Sequence, residues 1–150
     1  MKVDQYAWRT DVIAPGGGNL GHVDGMQIAN ILFESWTRYL NDGLDLPHDV
    51  VFDDSCRPIL RETSTRFDAE VFPGERLTCG VRATQRTAKS FTLSQALWRS
   101  DSGVQVAGGT AVLITIDVRS GRAVPIAPRL WFAMRRNGVG SAASSSVSGE

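Results

Sequence analysis

Apolar positions along the chain change period as it proceeds. Residues 5–13 (QYAWRTDVI) read as a first strand, which Pro15 and the glycines after it bring to an end. From residue 25 to 41 (GMQIANILFESWTRYLN) the spacing becomes helical. Ile28, Ala29, Ile31, Leu32, Phe33, Trp36, Tyr39 and Leu40 cover most of the circumference, leaving Gln27, Asn30, Glu34 and Arg38 as one narrow polar stripe. Asp24 is placed to cap this helix and Gly43 to end it. A helix so apolar is buried on several sides. No second helical pattern follows, so a sheet must wrap it.

Downstream, PILRETSTRFDAEVF, ERLTCGVRATQRT, SFTLSQALWRS and VQVAGGTAVLITIDVR alternate or run apolar in strand fashion. The links FPGE, TAKS, SDSG and RSGR each carry a turn residue, and links so short predict antiparallel hairpins rather than parallel crossovers. The order predicts an α+β domain whose antiparallel sheet of five to six strands curls around its one helix. The domain is expected over 1–132. Residues 133–150, rich in Ser, Gly and Ala, predict a disordered tail.

Composition narrows the function classes. Sixteen basic and sixteen acidic residues cancel, so no global field argues for nucleic acid or an anionic membrane as partner. No apolar run reaches the roughly 20 residues a bilayer needs. MKVDQYAWRT has no signal-peptide pattern, and Cys56 and Cys79 fit no metal spacing. Reduced thiols in a cytoplasmic protein are the expectation.

The stretch GGGNLGHVDG, Gly16 to Gly25, holds the candidate chemistry. Gly16, Gly18 and Gly21 spell G-x-G-x-x-G between a strand and a helix, but a dinucleotide site needs a parallel βαβ unit that the downstream pattern denies. A phosphate-binding P-loop fails for want of Gly-Lys-Ser/Thr. His22 and Asp24 have only one further histidine, His48, in the chain, so no metal is expected. What the loop does offer is a helix N-terminus with free N–H groups and close backbone access. A carbonyl oxygen there would be polarised, beside Asn19, His22 and Asp24, which can align a water or take its proton. A capped, solvated turn accounts for the same residues equally well.

Three segments together resemble the hotdog-fold thioesterases of the 4-hydroxybenzoyl-CoA thioesterase type. LGHVDGMQIANILFESWTRYL resembles that family's helix entry, FPGERLTCGVRATQRTAKSF its P-x-x-x-G-D-x-L hairpin, and GTAVLITIDVRSGRAVPI its last strand. The resemblance covers roughly 5–129. It implies a sheet wrapped around the helix, subunits joined edge to edge as a homodimer or homotetramer, and active sites between subunits. It further implies hydrolysis of an acyl-CoA or acyl-carrier-protein thioester with no cofactor, the carbonyl lying at the helix N-terminus near Gly25.

The family's catalytic Asp falls at Gly18 in the ungapped register, and Gly18 can be neither base nor nucleophile. With one gap it falls at Asn19, and Glu34 then stands fifteen residues on, where the family carries an acid. The loop's Asn19-Leu20-Gly21 also resembles the N-L-x-G segment of thioesterases of enediyne polyketide pathways, in which a similar Asp-to-Asn exchange occurs. The resemblance thus gives Asn19, His22, Asp24, Gly25 and Glu34 as catalytic candidates. Gly18, Gly21, Arg38, Arg86, Lys89 and Ser90 are the substrate-binding ones, with Lys89 near the nucleotide. An intrahelical Glu34–Arg38 ion pair is the plainer reading of those two residues. A hotdog hydratase using His22 and Asp24, a non-catalytic acyl-CoA binding domain and a purely structural domain are the rival functions.

Overall fold

The computed structural model describes residues 5–17, 21–51 and 55–136, the side chains of His48 and Val50 excepted. Strand β1 (Trp8–Ile13) leads through the glycine loop into helix α1 (Gly25–Arg38), which continues as a π-helical turn, Tyr39–Gly43. A short helix α2 (His48–Val51) precedes four long strands, β2 (Cys56–Phe67), β3 (Arg76–Arg86), β4 (Ser90–Arg99) and β5 (Gln105–Asp117), and helix α3 (Pro128–Arg136) follows them. The five strands form one antiparallel sheet in the order β1-β3-β4-β5-β2. With α1 lying across its inner face, this is the hotdog arrangement expected.

Alternation along the strands builds the core. Leu77, Cys79, Val81 and Ala83 of β3, Phe91, Leu93 and Leu97 of β4, and Ala107, Ala111 and Leu113 of β5 are buried with Ile28, Ile31, Leu32 and Trp36 of α1. Gln95, buried among them, donates its side-chain N–H to the Leu32 carbonyl at 2.7 Å and so pins the middle of α1 to β4. Outside the sheet Tyr6 lies so close over Gly80 that no side chain fits there. Its ring also packs on Trp98.

Three expectations need correction. The FPGE link does not close a hairpin: β2 pairs with β5, Cys56 opposite Asp117 through Phe67 opposite Ala107, while β3 pairs with β1. Residues 68–75 therefore cross the ends of β5 and β4, about 14 Å at ordinary strand spacing. They do so over the start of α1, where Val23 N–H donates to the Val71 carbonyl and Val71 is buried. The second correction is that α1 is not the only helix. α3 is amphipathic, and its Leu130, Ala133 and Met134 join the main core. The third follows from it: ordered packing passes the expected 132/133 boundary and reaches Arg136, because Ala133 and Met134 have apolar surface to bury. Residues 137–150, expected as a tail, lie outside the described residues.

The sheet has two edges, β1 and β2. β2 is long and almost wholly exposed, with a bulge at Arg61 between Leu60 and Glu62. Leu60 and Phe67 on its inner side, and Met26 and Phe33 on the adjoining side of α1, are large apolar residues left in solvent.

Candidate active site

The start of α1 is held by a reciprocal cap. Asp24 Oδ1 accepts from the Gln27 backbone N–H at 2.9 Å, and Gln27 Oε1 accepts from the Asp24 N–H at 3.0 Å. Gln27 also donates through Nε2 to the Gly16 carbonyl at 2.8 Å, tying the glycine loop back onto the helix. Such a box satisfies the third N–H of the helix and leaves the first two. No described residue accepts from the N–H groups of Gly25 and Met26. Asp24 thus holds the helix start through Oδ1.

Gly25 opens into a cleft of about 390 Å³, shared with His22, Val23, Ile28 and the crossing segment from Phe67 to Val71. The Phe67 ring lies against Gly25, where an added Cβ would stand 3.3 Å from its Cζ. His22 is half-buried, with Nδ1 3.0 Å from the Val23 carbonyl. A carbonyl only accepts, so Nδ1 is the nitrogen that donates here, which leaves Nε2 as the acceptor whenever the ring is neutral. Nε2 is 4.0 Å from the Glu70 carboxylate. Gly21, at φ +79°, supplies the left-handed turn that brings His22 round to this position. Gly18 and Asn19 lie outside the described residues.

The remaining candidates are elsewhere in the chain. Glu34 is exposed about 13 Å along α1 from Gly25 at helical rise. It forms no ion pair with Arg38, which donates instead to Thr10 Oγ1 of β1 at 3.1 Å. Arg86, Lys89 and Ser90 sit at the β3–β4 turn, the other end of an 11-residue strand and about 30 Å from the cleft. Arg86 covers the Trp131 ring at 4.9 Å, and Ser90 Oγ is 2.7 Å from Thr87 Oγ1. Lys89 is exposed, its backbone N–H donating to Thr87. Sequence reasoning missed Glu70 and Phe67. Both belong to a segment read as the arm of a hairpin, and only the crossover carries them to α1.

Thiol catalysis has no support in the core, since burial pushes the Cys79 thiol up to about 12. Among the described residues no group of three or more His, Cys, Asp or Glu could hold a metal ion. No described helix is long and apolar enough to cross a membrane.

A curved sheet around one helix, with an open helix N-terminus at its mouth, defines the hotdog class. The profile of the thioesterase-like superfamily matches residues 8–131, and the chain belongs to that superfamily, a family of thioester hydrolases. Solved structures repeat the fold. The protein PA5185 of Pseudomonas aeruginosa superposes with a TM-score of 0.79 at 20% identity, over 91% of this chain and 94% of that one. Slr0204, a 1,4-dihydroxy-2-naphthoyl-CoA thioesterase from Synechocystis, gives 0.75 at 17%, over 84% and 93%. A DHNA-CoA thioesterase from Staphylococcus aureus gives 0.74 at 11%, over 85% and 88%. No curated protein matches the chain by sequence.

Proposed function

We propose that this protein hydrolyses an acyl thioester carried on a pantetheine arm, from acyl-CoA or an acyl-carrier protein, in the cleft at the start of α1. One observation carries the reading: the unclaimed N–H groups of Gly25 and Met26 stand at a positive helix end beside Nε2 of His22. The thioester oxygen accepts from those N–H groups. His22 Nε2 takes a proton from water as the water oxygen bonds to the carbonyl carbon, and the two N–H groups hold the resulting oxyanion. The C–S bond then breaks, and His22 returns the proton to the departing sulfur, giving a carboxylic acid and a free thiol. Glu70 steadies the imidazolium in between. Asn19 orients the water, and Gly18 and Gly21 let the substrate approach the backbone. No cofactor takes part.

The unit that acts is a dimer through β2. Its exposed edge has unpaired backbone groups and apolar neighbours on both β2 and α1. Antiparallel pairing of two such edges sets the α1 start of one subunit beside the far strand ends of the other. That explains how Lys89, Ser90 and Arg86 of the partner subunit serve a cleft from which their own chain keeps them distant. Cytoplasmic location fits this reading.

The test is thiol release from a panel of acyl-CoA, acyl-carrier and acyl N-acetylcysteamine thioesters, with light scattering for the assembly. Thiol release that falls a hundredfold or so in His22→Ala supports the reading. Consumption of enoyl-CoA without thiol release, or tight binding without turnover, replaces it with the hydratase or the binding domain.

A further inference from the structure

The chain has no net charge, yet one end of the sheet carries a cluster of exposed basic side chains. At the α1 start lie Asp24, Asp68, Glu70, Glu75 and Asp101 with Arg66, Arg76 and Arg99, of which Arg66 pairs with Asp68 at 2.9 Å and Arg99 with Glu75 at 2.7 Å. At the other end, Arg86 and Lys89 flank the β3–β4 turn, and Arg119 and Arg122 stand in the turn after β5. α3 adds Arg129, Arg135 and Arg136. All seven are exposed, and none forms an ion pair with a described residue. Acids share this end: Asp117, whose carboxylate accepts from the Arg119 N–H and Ser120 Oγ, and Asp49 of α2, which packs against α3, with Asp42 and Asp45 preceding it on the connection from α1.

Local structure does not account for this patch. Arg135 and Arg136 suit the negative end of α3, but Arg129 sits in its first turn, where a cation opposes the helix dipole. Seven clustered like charges also repel one another. The patch spans the ends of three strands, about 10 Å, and the length of a nine-residue helix, about 13 Å. A nucleotide's phosphates would occupy only a corner of that area.

We infer that the basic end is the docking surface for an acidic carrier protein, so that the substrate arrives on a carrier rather than on CoA. The inference rests on the proposed β2 dimer, which sets this end of one subunit beside the cleft of the other. An acidic carrier is repelled by the acidic rim of the cleft itself and attracted to the partner's basic end. The pantetheine arm therefore enters from the partner's side. Complementary charge of this breadth steers encounter and weakens with salt.

Arg122→Glu with Arg129→Glu is the test, since neither side chain makes a contact that the fold requires. Octanoyl groups are presented on an acyl-carrier protein, on CoA and on N-acetylcysteamine, and binding of the labelled carrier is followed by fluorescence anisotropy. The expected result is a fall of about tenfold or more in carrier kcat/KM relative to N-acetylcysteamine, with weaker carrier binding and a smaller fall for CoA. An unmoved carrier ratio overturns the inference. So does an equal fall for CoA, which would mean that the patch reads nucleotide phosphates. If no thioester is hydrolysed the proposed activity fails instead, and the anisotropy still decides whether the carrier docks here.

Discussion

The ring of Phe67, the last residue of β2, rests on the backbone of Gly25, the first residue of α1. An alanine at Gly25 would put its Cβ 3.3 Å from Phe67 Cζ, closer than comfortable contact. The ring is half exposed and can turn aside. Gly25→Ala is therefore expected to leave the melting temperature within about a degree, while crowding the carbonyl site and lowering kcat/KM about tenfold or more. Parallel melting curves and thiol-release kinetics check both halves. A large loss of stability with turnover intact would place Phe67 and Gly25 in the scaffold rather than the site.

His22→Gln is expected to lower kcat by about a hundredfold or more, with little change in stability, because the imidazole is only half-buried and its one close partner is a neighbouring carbonyl. Glu70→Gln keeps the shape but removes the charge 4.0 Å from Nε2, so a smaller fall in kcat is expected. Glu34→Gln should not change the melting temperature, as no ion pair with Arg38 exists to lose. A pH–rate profile of the His22 variant that keeps the parent's shape would remove His22 as the base.

Much of this geometry was legible in the sequence. The period of α1, Asp24 as its cap and the turns at Gly74, Gly103 and Gly121, all at positive φ, follow from local chemistry. What local chemistry cannot express is which strand lies beside which. FPGE contains every residue a hairpin wants, but pairing β2 with β3 would leave α1 uncovered. Closing the sheet around the helix sends β2 to the far edge instead. Glu70 and Phe67 reach the cleft through that choice, and no spacing announces them. α3 was hidden for a different reason. Its nine residues include three arginines, and only three of its side chains are buried.

Arg99 Nε donates to Glu75 Oε2 at 2.7 Å, and the Phe72 N–H donates to Glu75 Oε1 at 2.8 Å. The Arg99 hydrogen bond first, and then the Phe72 N–H, hold the Glu75 carboxyl below its ordinary range in the folded chain. Unfolding restores the ordinary value, about 4.3. The pair's stabilisation is therefore complete above that value and is lost as pH falls through the lower, folded one. Glu75→Gln is expected to cost about 1 kcal/mol at pH 7. The gap between variant and parent should narrow below about pH 4. Thermal melts from pH 7 to 3 check this, and a gap that stays constant with pH would remove the ion pair as its cause.

Met134 is fully buried and Ala133 nearly so, both in the main core with Leu130. α3 thus closes the end of the sheet opposite the α1 start, with Trp131 under the Arg86 guanidinium. Ending the chain after Arg136 removes none of these contacts, and the melting temperature should stay within about a degree. Ending it after Phe132 deletes Met134 and the last turn that holds it, leaving a hole lined by apolar side chains. Met134→Ala alone is expected to cost about 2–5 kcal/mol, or roughly 6–15 °C at this chain length, and the shorter truncation at least as much. Calorimetry on the three variants separates these cases. Equal melting temperatures for the chains ending at Phe132 and Arg136 would mean that α3 is not part of the core and that the fold closes without it.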